Sequence, residues 1–85
     1  MKAAEALAEV RGLAAAGRIQ LSSHARKRCL ERRILFGDVR AALSEARECS
    51  EQEGGRWRVV GDDLGGEALT AVIVFDDGVI VVTLF

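Results

Sequence analysis

His24, Arg28 and Arg32 recur at four-residue steps within a segment, Ser22-Ser23-His24-Ala25-Arg26-Lys27-Arg28-Cys29-Leu30-Glu31-Arg32-Arg33, whose composition suits a helix. At 3.6 residues per turn, Arg28 and Arg32 follow His24 by about 40° and about 80° around the axis. The three side chains therefore form one stripe. Ala25 and Cys29 fall just beside it and are the positions expected to be buried. Imidazole titrates near neutral pH and can exchange a proton with a ribose hydroxyl or a leaving oxygen. Two guanidinium groups can grip a phosphate bidentately and stabilise the charge that builds up on it. One base and two arginines would suffice for RNA cleavage with the 2′-hydroxyl as nucleophile, and that chemistry needs no metal. No metal or cofactor site is expected, since His24 and Cys29 are badly spaced as a ligand pair and the acids do not cluster with His24. The same residues admit plainer roles. A histidine in a first helical turn often caps or hydrogen-bonds at a rim. The arginines can pair with sheet acids such as Asp62, Asp63 or Glu67. Cys29 reads as a small core residue.

The elements that must hold this stripe follow from periodicity. The first sixteen residues are rich in Ala, Glu and Leu and carry an apolar stripe of Ala3, Leu7, Val10 and Ala14, extended by Leu13 and stopped by Gly17. A short extended piece, residues 18–21, leads to Ser22 or Ser23 as cap of the second helix, about residues 23–33. After a break at residues 34–37, a third helix opens at Asp38 or the residue before it and buries Val39, Ala42, Leu43 and Ala46. Strands are expected at residues 56–61, 68–75 and 79–85, with residues 47–51 as a fourth, edge strand. Asp76-Asp77-Gly78 between two β-branched runs is a hairpin signal. Trp57 alternates with Arg56 and Arg58, so the two arginines share a sheet face and add positive charge there as substrate-binding candidates. Helices first and strands afterwards predict an α+β fold: two to three N-terminal helices on a curved antiparallel sheet of three to four strands.

The chain has 85 residues, 12 Lys and Arg against 13 Asp and Glu, and a formal net charge of -1. That length fits a single domain, residues 1–85. No apolar run is long enough to span a membrane, and Glu5 and Glu9 interrupt any leader-type apolar stretch. Two cysteines make neither a disulfide scaffold nor a zinc site. A reduced, cytoplasmic setting is the expectation. The near-neutral total conceals an asymmetry. Residues 18–33 hold six basic side chains against one acid, whereas residues 44–77 hold nine acids against three arginines. Basic charge is thus concentrated in one helix.

The segment from Ser22 to Ile34, followed by Asp38-Val39, resembles a widespread prokaryotic family of small uncharacterised domains with the signature H-A-x-x-R-(M/C)-x-E-R-x-I and a later D-V. Arg56-Trp57-Arg58-Val59-Val60-Gly61 and the closing Val82-Thr83-Leu84-Phe85 are similar to that family's strands. The resemblance spans about residues 20–85. Arg33 stands where the family carries Gly, and Leu35 where a small N-cap residue is usual. Such domains are grouped with RelE-, MqsR- and BrnT-like toxins of type II toxin–antitoxin modules, many encoded beside zinc-finger antitoxins. The resemblance implies a RelE-like fold and a metal-independent endoribonuclease acting on mRNA (an mRNA interferase). It implies His24 for proton transfer, Arg28 and Arg32 on the phosphate, and Thr83 orienting substrate or histidine as a fourth catalytic position. RNA and an antitoxin protein would be the partners.

A second expectation belongs to a different class: a non-enzymatic interaction module of the same fold. It would bind a partner protein through the sheet edge or the basic helix, or form a homodimer through a strand edge, with the apolar final strand, residues 79–85, offering backbone groups if it lies at an edge.

Overall fold

The computed structural model describes all of residues 1–85 and gives the order α1 (Ala3–Ala15), β1 (Ile19–Leu21), α2 (Ser23–Arg32), α3 (Phe36–Ser44), β2 (Glu48–Glu51), β3 (Trp57–Asp62), β4 (Ala68–Phe75) and β5 (Val79–Leu84). A single 3-10 turn at Glu53–Gly55 joins β2 to β3. The fold is α+β, with three helices packed on one sheet. No helix is long and apolar enough to cross a membrane.

The helix boundaries have local causes. At the end of α1, Gly17 adopts φ 76°, its N–H donates to Ala14, and the N–H of Arg18 reaches back to Leu13 at 2.9 Å. This is the paired-bond stop that a left-handed residue permits. Ser22 caps α2 by accepting from the N–H of Ala25 at 3.0 Å. The end of α2 repeats the device with a residue ill suited to it: Arg33 takes φ 56° and ψ 41°, and Ile34 donates to Cys29. Asp38 accepts from the N–H of Leu35 at 3.1 Å and from that of Leu64 at 3.2 Å. It thereby holds the start of α3 to the β3–β4 turn. Helices α1 and α3 cap each other. Arg11 donates to the Ala46 carbonyl at 2.7 Å, and Arg40 donates to Ala14 and Ala15 at 3.2 and 2.7 Å. Each arginine meets carbonyls at the neighbouring helix's C-terminal end, where cations are favoured.

The sheet has five strands in the order β1-β5-β4-β3-β2. Three points differ from the sequence reading. The sheet is mixed rather than wholly antiparallel, because β1 pairs parallel with β5, whereas the other three pairings are antiparallel. The short extended piece before α2 and the segment after Ala46 both join, which brings the count to five instead of three or four. The final strand is also not an edge: β5 lies between β1 and β4. Beyond the reach of β1, its remaining outer carbonyls are taken by α2. The N–H of Ser22 donates to Val81 at 3.0 Å, its Oγ to Val82 at 2.8 Å, and Arg28 to Leu84 at 3.2 Å.

The core forms between the helices and one sheet face. Ala6, Val10 and Ala14 of α1, Ala25 and Cys29 of α2, and Val39, Ala42 and Leu43 of α3 meet Val59, Ala71, Ile73, Val79, Val81 and Leu84. Ala3, expected in the α1 stripe, is exposed and Ala6 takes its place. Gly61 lets α3 settle onto β3: a Cβ there would lie 1.9 Å from the carbonyl oxygen of Ala42. The opposite sheet face has no helix on it, and its Val72, Val74, Ile80 and Val82 are half-buried.

Candidate functional site

The stripe read from the sequence exists as a stripe. Ala25 is fully buried and Cys29 is 8 % exposed, which fixes the inward direction of α2. Arg28, next around the helix, is half-buried, while His24 and Arg32 are exposed. Arg28 leans over the sheet margin so that its Nε bonds Leu84, and its two terminal nitrogens have no protein acceptor. Neither His24 nor Arg32 has a side-chain hydrogen bond or ion pair. The pairing of these arginines with Asp62, Asp63 or Glu67 does not occur. Asp62 pairs with Arg47, Asp63 accepts from the N–H groups of Gly65 and Glu67, and the one other ion pair joins Arg18 to Asp77. Apart from Arg18, the basic charge that residues 18–33 concentrate is therefore displayed rather than neutralised.

Thr83 reaches this margin through an irregularity in β5. Ile73 pairs with Val81 but Val72 pairs with Thr83, so Val82 is an extra residue on β5. Without that bulge Thr83 would alternate into the helix-covered core. With it, Leu84 is buried and Thr83 points to the bare face. Thr83 sits between the two residues, Val82 and Leu84, whose carbonyls bind Ser22 and Arg28. The α2 stripe thus borders the bare face beside Thr83. The facing of Thr83 could not be anticipated from alternation alone, because the bulge changes the phase.

Arg58 occupies the same cross-strand row as Thr83, with Val72 between them. Two strand spacings place it about 10 Å from Thr83 along the sheet. Arg56 precedes β3, and both arginines are exposed and without partners. They lie at the end of the row away from α2 and do not join the His24–Arg28–Arg32 stripe. The shape here is an open margin. The three shallow depressions on the molecule, about 340, 270 and 400 Å³, are lined elsewhere, and none includes His24, Arg28 or Arg32. The first holds Arg58 with Ala3, Leu7 and Cys49, near the start of α1.

No three His, Cys, Asp or Glu side chains gather in a way that can hold a metal ion. Both cysteines are free, and burial pushes both thiols above their ordinary range. That suits packing residues rather than nucleophiles.

Residues 21–85 match the domain of unknown function DUF4258. No curated protein and no solved structure matches the chain. The matched span runs from the last residue of β1 through the whole of α2, α3 and β2–β5, so it contains every candidate residue described above, and the chain belongs to this family.

Proposed function

We propose that this member of the DUF4258 family is a toxin-type endoribonuclease that cleaves mRNA without a metal, and that the margin between α2 and the end of β5 is its active site. The observation that carries the reading is a division within residues 22–39. Packing and capping account for Ser22, Ala25, Cys29, Ile34, Asp38 and Val39. They do not account for His24 and Arg32, and they use only one of the three nitrogens of Arg28. Titratable and cationic side chains left free on one stripe, beside a bare sheet face, have a ligand-binding arrangement.

In this reading Arg28 and Arg32 hold the scissile phosphate. Arg28 is pre-oriented by Leu84, so less freedom is lost on binding. His24 takes the proton of the ribose 2′-hydroxyl, and the 2′-oxygen attacks phosphorus. The 5′-oxygen leaves and takes a proton from the imidazolium or from water. The products end in a 2′,3′-cyclic phosphate and a 5′-hydroxyl. Thr83 supplies a hydroxyl to the substrate, and Arg56 and Arg58 attract the flanking backbone. A protein antitoxin would silence the site by covering it.

The experiment is expression of the chain in a bacterium together with incubation of the purified protein with mRNA, with and without ribosomes. Growth should slow, fragments should carry 5′-hydroxyl ends, and His24→Ala should remove both effects. Harmless expression together with intact RNA under both conditions refutes the proposal.

A second reading, partner binding without catalysis, is favoured by the uncovered sheet face, where Val72, Val74, Ile80 and Val82 stand half-exposed without a helix over them. Under that reading the His24 and Arg32 variants would leave every measurable behaviour unchanged.

A further inference from the structure

The sheet has one bare edge beside an apolar and cationic wall, and it is the edge formed by β1. The carbonyl of Arg18 accepts from the N–H of Val79, and the N–H of Ser22 donates to Val81, each at 3.0 Å. These residues and Gln20 therefore turn their backbone groups toward β5. By the alternation of a strand, the N–H and C=O groups of Ile19 and Leu21 point the other way, out of the sheet. A depression of about 400 Å³ runs along them, lined by Ile19, Gln20, Leu21, Arg26 and Phe36. Phe36 is 47 % exposed. Arg26 makes no hydrogen bond or ion pair with any protein group. On α2, Leu30 follows Arg26 by four residues and so lies on the same helix face, and Arg33 is the cap residue that follows the helix. Leu30 is 82 % exposed and Arg33 is also unpaired. This face is the one turned away from the His24 stripe.

We propose that the β1 edge is a docking site for an extended segment of a partner protein, bound by strand addition, that carries both acidic and apolar side chains on the face it turns toward α2. The unpaired N–H and C=O groups of Ile19 and Leu21 supply main-chain hydrogen bonds. Phe36 and Leu30 supply apolar contact. Arg26 and Arg33 select for acid, because a segment carrying lysine or arginine would bring like charges together. A second copy of this chain fits less well. Antiparallel pairing of β1 with itself spans only three residues, far short of the about 1,200 Å² that a stable interface buries. The opposite edge, β2, is already guarded by Glu48 and Glu51 flanking Cys49 and Ser50. The inference does not depend on RNA cleavage, since it uses none of His24, Arg28 or Arg32.

The test titrates the isotopically labelled full chain with two blocked peptides in which every second residue is threonine, one carrying valine and glutamate in turn at the intervening positions and one carrying valine and lysine there. The glutamate peptide should shift the Ile19 and Leu21 amide resonances and slow their hydrogen exchange by about tenfold. The lysine peptide should do neither. Arg26→Glu, an exposed change that leaves the fold intact, should weaken the glutamate peptide by about fivefold or more and admit the lysine peptide. Leu21→Pro removes one outward N–H without touching a bond to β5 and should weaken the glutamate peptide likewise. Equal response to both peptides overturns the proposal. So does an absence of change at Ile19 and Leu21, or a concentration-dependent dimer in which those two amides become protected.

Discussion

The Nε of Arg28 donates to the carbonyl of Leu84 at 3.2 Å, tying the middle of α2 to the end of β5. That bond orients the one half-buried guanidinium of the stripe and leaves its terminal nitrogens for a ligand. Lysine at this position would keep the charge but lose the fork. Arg28→Lys should therefore cost about 1 kcal/mol of stability, the net value of such a bond. For a domain of this size that is a fall in Tm of about 4–8 °C. RNA cleavage, assayed where the variant is still folded, should fall much further than the folded fraction does. An unchanged Tm would show that the bond contributes nothing to the fold.

His24 and Arg32 give the complementary result. Both are exposed and neither contacts a partner. His24→Ala and Arg32→Ala should each change stability by no more than about 0.5 kcal/mol in denaturant titration. Each should nevertheless relieve growth arrest and abolish cleavage. A stability loss as large as that of the Arg28 variant would mean that these side chains hold the fold together, and the proposed site would lose its motivation.

Gly61 should be the least tolerant position in the sheet. Its added Cβ would lie 1.9 Å from the Ala42 carbonyl oxygen and 2.8 Å from the carbonyl carbon. Both are backbone atoms of a helix that cannot move without opening the core around Val39 and Leu43. Gly61→Ala should cost about 3 kcal/mol, at the upper end of overpacking effects. Thermal unfolding measures it directly. Gly12→Ala, which meets no atom within 4 Å, serves as the comparison and should be neutral or stabilising.

What could be read in advance divides by the range of the interaction. Helical stripes depend on neighbours three and four residues away, so Ala25 and Cys29 inward and His24 outward were legible from spacing. The hairpin at Asp76-Asp77-Gly78 was legible for the same reason: Asp77 and Gly78 both take positive φ. The parallel pairing of β1 with β5 joins segments about 60 residues apart through three residues, and no local pattern signals it. This one pairing makes the final strand interior, a position that the sequence leaves open. The position of Thr83 was hidden by the Val82 bulge, which reverses which residues face the core. Arg28 as a bridge to the sheet was hidden because a sequence shows which side chains are cationic but not which carbonyls lack partners.

Two positions in the α2–α3 connection invite stabilising changes. Arg33 closes α2 at φ 56°, where a side chain costs about 1 kcal/mol and glycine costs almost nothing. Leu35 occupies the N-cap of α3 with an extended backbone and 70 % exposure, and its side chain cannot accept from the helix. Arg33→Gly and Leu35→Thr should each raise stability by about 0.5–1 kcal/mol in denaturant titration. A loss from Arg33→Gly would show that the arginine makes a contribution larger than its backbone strain.

The cysteines yield a pH dependence whose sign follows from burial. Burial raises the Cys29 and Cys49 thiols above the ordinary value of 9.0. The folded chain then holds those protons more tightly than the unfolded chain does. Stability is level while both states are protonated, and it falls as pH rises past the point where unfolded thiols ionise. Tyrosine cannot obscure the effect, because the chain has none. Denaturant titrations at pH 7 and pH 10 should show lower stability at the higher pH, and the difference should shrink in a Cys29→Ala, Cys49→Ala double variant. Iodoacetamide separates the two sites. Cys29, 8 % exposed in the core, should be alkylated only as fast as the protein opens, whereas half-buried Cys49 should react first. Faster alkylation of Cys29 at neutral pH would mean that α2 lifts from β5 in the native state, carrying Arg28 away from Leu84.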